Sequence, residues 1–317
     1  MEQQKQVLDS GLVSVLLLVV RWHCMKLLQF KEKNDIRLGV KTDLGILDIK
    51  RAAQVYKQSV PESLQELIAQ SEEGLAKISN VVERSLKEVY KDLFAQEDAV
   101  IFAPAVTNPE KIICVGLNYI NHAKGSKMEV PTSPILFSKF NNTLAAHEES
   151  VVIPSGAEKI DYEAELVLVV GKTAKNVSEE EALSYVFGYS AGNDVSARDW
   201  QFRSGQWLLG KSPDGFAPVG PYIVTSDEVN PNHLSIECRI NGEVRQKANT
   251  KDMIFNCAAL VSYISHHMTL KPGDMIFTGT PDGVIIGYSE EEQVWLKSGD
   301  EMAVSIESIG ELKNVLQ

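Results

Sequence analysis

Residues 161–170 read D-Y-E-A-E-L-V-L-V-V. The second half is an unbroken aliphatic run, the mark of a strand buried on both faces. The first half sets carboxylates at alternate positions. Successive side chains of a strand point to opposite faces. Asp161, Glu163 and Glu165 therefore share a face with Val167 and Val169, while Tyr162, Ala164, Leu166 and Leu168 point the other way. The Cα atoms of Glu163 and Glu165 are about 7 Å apart by strand rise, so both carboxylates can converge on one ion. A face that turns from Glu, Glu to Val, Val reads as the lip of a pocket. Two carboxylates there repel each other unless a cation intervenes, and a hard divalent ion such as Mg²⁺ suits an all-oxygen site. An edge strand whose acids simply face water is the alternative reading.

The rest of the chain must build a core around this strand. I-I-C-V-G (112–116), Y-I-V-T (222–225), L-S-I-E-C-R-I (234–240), M-I-F-T-G (275–279) and M-A-V-S-I (302–306) read as further strands. Residues 25–50 alternate in strand fashion, and residues 61–97 place Leu, Ile and Val at helical spacing in one or two amphipathic helices. Ser178 with Glu181 forms a capping-box pattern for one later helix, and another is expected from about Thr250 to His267. The Pro-containing stretch 103–110 reads as a linker. The fold class is α+β, mostly β. A small N-terminal α+β module (25–102) precedes a catalytic domain (103–317). The apolar stretch at 11–20 is shorter than the ~20 residues a membrane span needs, and R-W-H-C-M follows it in place of a small-residue cleavage site. Met25 reads as the natural start, and residues 1–24 as a non-native or disordered extension.

The net charge of −12 argues against nucleic acid, whose phosphates need clustered Lys and Arg. It leaves room for an anionic small substrate, because local cations and a metal can reverse the field of one pocket. Cys24, Cys114, Cys238 and Cys257 show no metal-ligand spacing and read as reduced thiols of a cytoplasmic protein.

A second acidic stretch, G-N-D-V-S-A-R-D-W-Q (192–201), presents Asp194 after small residues. Arg198 and Gln201 follow on the same side if a helix starts there. A third carboxylate, a cation and an amide donor suit a metal-bound keto acid; Arg198 serves equally well as a structural partner of Asp199 or Glu165. Three glycine-bearing loops deliver Asn118, Tyr119 and His122; Lys211; and Thr280. His122 is a candidate base or a packed histidine. His147, His233, His266 and His267 carry no assigned role.

Taken together, C-V-G-L-N-Y-x-x-H-A, P-x-L-F-S-K-F, D-Y-E-A-E-L-x-x-V-x-G-K, G-Y-x-x-x-N-D-V-S-A-R-D-W-Q, G-K-S-x-D-G-F-A-P-x-G-P and T-G-T-P-x-G-V occur in that order. This set closely resembles the fumarylacetoacetate hydrolase (FAH) family over residues 103–317. The resemblance implies a mixed β-sandwich or β-roll, a homodimer, and Mg²⁺ (or Mn²⁺, in some members Ca²⁺) held by Glu163, Glu165 and Asp194. It implies that Arg198, Gln201, Lys211 and Thr280 bind substrate oxygens, with Tyr119 beside them, and that Lys211, Arg198 and the base His122 are catalytic. Members act on 2-keto or 1,3-diketo acids through a metal-bound enolate. The activities implied are oxaloacetate decarboxylation or tautomerisation and acylpyruvate C–C hydrolysis. The rival activities are fumarylpyruvate or fumarylacetoacetate-type hydrolysis, 2-hydroxymuconate-type isomerisation and ketopentenoate hydration. A non-catalytic metal-binding interaction protein is the reading from another class. The expected partner is a small keto acid, with neither nucleic acid nor membrane. One departure bears on the reaction. Many hydrolytic members carry H-A-x-E where this chain has H-A-K-G, so Gly125 stands in place of the glutamate that orients the base, and His122 either lacks its orienter or takes Glu129 in that role. Decarboxylation and tautomerisation need no activated water, so the departure favours them.

Overall fold

The computed structural model describes residues 25–120, 130–227 and 229–317. The expectations for residues 1–24, His122, Gly125 and Glu129 lie outside the described residues. In chain order the principal elements are β1 (Lys26–Glu32), β2 (Asp35–Thr42), β3 (Gly45–Asp48), α1 (Ile49–Tyr56) and α2 (Leu64–Glu88). There follow β4 (Ile112–Gly116), β5 (Ile135–Lys139), β6 (Ala164–Val170), α3 (Glu179–Ala182) and β7 (Val186–Asn193). Next come α4 (Arg198–Gln201), α5 (Leu208–Lys211), β8 (Ala217–Thr225), β9 (Ser235–Ile240) and β10 (Glu243–Asn249). The last are α6 (Cys257–His267), β11 (Met275–Phe277), β12 (Glu301–Ile306) and β13 (Gly310–Val315).

A twelve-stranded sheet carries its principal strands in the order β3-β2-β1-β8-β7-β6-β11-β4-β5, and a four-stranded sheet runs β10-β9-β12-β13. The N-terminal strands join the large sheet directly, because β1 pairs antiparallel with β8 (Leu27 opposite Ile223). The strand reading of the D-Y-E-A-E-L-V-L-V-V segment holds. All seven residues of β6 are buried, and its two faces feed different cores. Tyr162, Ala164, Leu166 and Leu168 pack in one cluster with β9 and α6 residues such as Ile236 and Leu260. Val167 and Val169 pack in a second with Met275, Phe277 and the helical residues Leu67 and Ile78. Burying that many aliphatics at roughly 25 cal/mol per Å² fixes the register, since a one-residue slip exchanges the two faces.

Several local expectations shift. The strand-like stretch 25–50 ends at Asp48, and Ile49–Tyr56 is a helix that Asp48 caps by accepting from Arg51 N. Ser178 does sit at the start of α3, yet its side chain makes no capping bond. The helix expected from Thr250 begins at Cys257, where Asn256 accepts from Ala259 N; residues 250–252 form a separate tight turn. Cys114, Cys238 and Cys257 are buried free thiols, as composition suggested. Among the described residues no helix is long and apolar enough to cross a membrane.

Candidate metal and substrate centre

The antiparallel pairing of β6 with β7 sets Ala164 opposite Asn193. That register brings Glu163 and Glu165, one strand end, against Asp194, the residue after the other. Asp194 N–H donates to the Glu163 carbonyl (2.9 Å), and Glu163 N–H donates to Asn193 Oδ1 (2.9 Å). One carboxylate oxygen from each of Glu163, Glu165 and Asp194 lies within 4.8 Å of the others, and all three residues are buried.

Cations reach the cluster from three elements. Lys211, at the end of α5, donates to Glu163 Oε2 (2.8 Å) and Asp194 Oδ2 (2.7 Å). Arg198 opens α4 and donates to Glu163 Oε1 (2.7 Å), Asp161 Oδ2 (2.8 Å) and Gln201 Oε1 (2.9 Å). Lys139, the last residue of β5, donates to Asp194 Oδ1 and to the Val195 carbonyl. The close approach of α4 and α5 depends on Gly210, where a Cβ would lie 2.4 Å from both Ala197 O and Gln201 N. The loop after β11 adds neutral donors. Gly279, at φ +97° and placed so that a Cβ on it would lie 2.7 Å from Asn118 Cβ, gives its N–H to Glu165 Oε2 (2.7 Å). Asn118 staples this loop by donating to Thr278 O (2.7 Å) and Phe255 O (3.0 Å).

Arg198 thus pairs with neither Asp199 nor Glu165, the partners left open above. Asp161 does not end in water. It is wholly buried and also accepts from Ile285 N (2.9 Å) and Ile286 N (3.2 Å), so it aims Arg198 and pins the 285–286 turn.

The electrostatics of the cluster are uneven. Burial pulls the Lys211 ammonium down, but Asp194 and Glu163 outweigh it and hold the proton more tightly than usual. For Lys139, burial wins over Asp194 and lowers the pKa. Glu165 stands apart. Burial first, then Asp194 and Glu163, push its carboxyl well above the usual range. Its hydrogen bond comes from a backbone amide, and among the described residues no Lys or Arg pairs with it. Three buried oxygen donors, one of them with no cation of its own, fit a divalent ion.

A cavity of about 240 Å³ opens beside the cluster. Glu163, Arg198, Gln201, Lys211 and Thr280 line its polar end, and Val115, Phe137, Phe202, Trp207 and Ile286 its apolar end. Most of the expected residues therefore converge. Tyr119 lies in the hydrophobic core and not in the cavity lining; its hydroxyl has no partner among the described residues, and burial followed by the Glu165 charge raises its pKa. Sequence reasoning passed over Lys139, Asn193 and Gln246. Lys139 stands in the P-x-L-F-S-K-F motif, and its place there was the available signal, since the rest of β5 is only partly buried. Gln246 gave none, as it stands in the polar run R-Q-K-A-N.

The sequence profile described as fumarylacetoacetate (FAA) hydrolase, C-terminal, matches residues 111–317. The fumarylacetoacetate hydrolase domain-containing protein 2 homolog of Dictyostelium discoideum is 45% identical over 291 residues, spanning 88% of this chain and 92% of that protein. The human oxaloacetate tautomerase FAHD2A, mitochondrial, is 39% identical over 313 residues, spanning 96% of each. Among solved structures, fumarylacetoacetate hydrolase from psychrophilic Exiguobacterium antarcticum superimposes with a TM-score of 0.78 at 35% identity, over 92% of this chain and 99% of that one. The names of the human, rat, frog and cattle tautomerases place them in mitochondria, which overturns the cytoplasmic expectation drawn from the cysteines. Reduced thiols exclude an oxidising compartment only, so they never separated cytosol from mitochondrion. With its acidic cluster, its mostly β fold and these relatives, the chain belongs to the fumarylacetoacetate hydrolase family and is a metal-dependent enzyme of keto-acid chemistry.

Proposed function

We propose that this enzyme interconverts the keto and enol forms of oxaloacetate, or of a closely similar 2-keto acid, with Mg²⁺ held by Glu163, Glu165 and Asp194. The observation that carries the reading is the buried carboxylate triad within 4.8 Å, set against Lys211 and Arg198 at one end of a single cavity. A bound divalent ion supplies Lewis acidity toward a 2-keto oxygen.

The chain's own residues account for the rest. Lys211 and Arg198 hold the negative charge that grows on the substrate oxygen as the α-proton leaves. Both are already fixed by carboxylates, so little reorganisation is needed when that charge appears. Gln201 is held by Arg198 and presents its amide to the same end of the cavity. Phe137 and Trp207 give the cavity an apolar wall that offers a water molecule no hydrogen-bond partner at their ring carbons, which favours proton transfer over hydrolysis. His122 is the base of this proposal. Gly125 in place of an orienting glutamate agrees with a reaction that attacks no carbonyl with water. The name carried by the human relative, oxaloacetate tautomerase, supports the choice of substrate. The homodimer implied by the family resemblance is part of the proposal, checked by light scattering.

The test adds enzyme to freshly dissolved oxaloacetate and follows the enol and keto signals by NMR, with Mg²⁺ and with EDTA, beside acetylpyruvate as a second substrate. Faster enol–keto equilibration that EDTA abolishes is expected. No acceleration of that exchange, or cleavage of acetylpyruvate as the faster reaction, overturns the proposal.

A further inference from the structure

Gln246 occupies the one deeply buried position of the otherwise wet strand β10. Its amide is fully engaged. Oε1 accepts from Ala164 N–H (3.0 Å), the residue between Glu163 and Glu165. Nε2 donates to Thr280 Oγ1 (2.8 Å) and to the Pro281 carbonyl (2.9 Å). The orientation admits no flip, because Ala164 N–H can only donate and Pro281 O can only accept.

This has a consequence for Thr280. Thr280 lines the cavity and is 3% exposed. Its oxygen receives a hydrogen from Gln246, and its own hydrogen meets no acceptor among the described residues. A buried hydroxyl in that state seeks an acceptor in the cavity, since an unmade donor bond is unfavourable. A keto, carboxylate or enolate oxygen satisfies it; an enol hydroxyl, itself needing an acceptor, satisfies it less well.

We propose that Gln246 is a positioning residue that fixes Thr280 Oγ1 as a hydrogen-bond donor to a substrate oxygen, and so selects the keto and enolate forms over the neutral enol. This rests on the keto-acid reading above. Gln246 acts on the substrate only through Thr280, and the two residues form one unit.

A double-mutant cycle tests it, with two readouts: kcat/KM for oxaloacetate enol–keto exchange, and the affinity for oxalate measured by calorimetry in Mg²⁺. Thr280→Val is expected to lower both by about tenfold or more, as for a hydrogen bond to a charged group, while Thr280→Ser stays within about threefold of the wild type because it keeps the hydroxyl. Gln246→Met keeps the volume and removes the donor, and is expected to lose about tenfold in the wild-type background but less than about twofold beside Thr280→Val. If Gln246→Met does not fold, Gln246→Glu is read in the same cycle, since it keeps an acceptor for Ala164. Losses that multiply in the double variant, or oxalate bound by Thr280→Val as tightly as by the wild type, overturn the proposal. A wild-type enzyme inert on oxaloacetate refutes the functional reading instead, and the coupling in oxalate affinity then decides this one alone.

Discussion

Replacing Glu165 by Gln should strengthen the metal-free fold while destroying the metal site. Asp194 has Lys139 and Lys211, and Glu163 has Arg198 and Lys211, whereas Glu165 has a backbone N–H. Two unit charges 4.8 Å apart, the outer limit for the ligand oxygens, repel by roughly 3 kcal/mol at an effective dielectric of 20. At pH 7 the cost is capped, because the carboxyl can take a proton instead; holding a proton that the unfolded chain has released costs at most about 3–4 kcal/mol. Glutamine avoids that cost and still accepts from Gly279, but its NH₂ faces carboxylate oxygens of Glu163 and Asp194 that already serve Lys139, Lys211 and Arg198, and an unmade bond there returns about 1–3 kcal/mol. The net gain is about 1–2 kcal/mol, or roughly 2–3 °C in Tm for a chain of this size. The sign with pH follows from the raised folded value. Wild-type stability is full below the ordinary carboxylate value of 4.5 and is lost as pH rises above it. The advantage of Glu165→Gln therefore opens above that pH and closes below it. Mg²⁺ reverses the order: a ligand at 100 times its Kd adds about 2.7 kcal/mol to the wild type and nothing to a variant that cannot bind. Thermal melts at pH 5 and pH 8, with EDTA and with Mg²⁺, read all four arms. A variant less stable than the wild type in EDTA at pH 8, or one whose Tm still rises with Mg²⁺, refutes this account of Glu165.

Asp194→Asn should move the metal-free Tm the other way, because it strips a buried partner from both Lys139 and Lys211; a loss of about 3–5 kcal/mol is expected, read in the same EDTA melts. Asp161→Asn places an NH₂ against Arg198 Nε or the 285–286 amides, and steady-state kinetics should show kcat/KM for oxaloacetate falling about 10- to 100-fold with no loss of Mg²⁺ affinity by calorimetry. Gly210→Ala sets a Cβ against the backbone of Ala197 and Gln201; since backbone cannot swing aside, a loss of about 3 kcal/mol or an insoluble product is expected on expression and melting.

How far the site was legible depended on whether a residue's partners were near it in the chain. Glu163 and Glu165 announce themselves because a two-residue period puts both on one face, and Asp194, Arg198, Gln201, Lys211 and Thr280 follow from motifs whose order is itself a pattern. Asp161 obeys the same period but does different work, since its partners Arg198 and Ile285 are 37 and 124 residues away. Lys139 drew no reading of its own within the P-x-L-F-S-K-F motif, because nothing local says that Asp194, 55 residues on, will close over it. Gln246 was illegible for the same reason: burial of one amide in a polar strand is decided by the sheet that packs on it. Helix α1 carried no expectation beyond its first two residues, since eight residues with two β-branched positions hold little periodic signal, and its start depends on the Asp48 cap.

The pairing of β1 with β8 has a bearing on how such a protein is inherited. The stretch recognised by descent begins at residue 111, and it contains every residue of the acidic cluster and the cavity lining. A recombination that transplanted only that stretch would move a complete recipe for chemistry. It would also leave β8, next neighbour of the strand that leads into Asp194, with a bare edge along Ile223 and Val224, and bare edges recruit other chains. Residues 25–110 thus do a job the cavity lining does not ask for: β1 covers the edge of β8 that a chain reduced to the site would leave open.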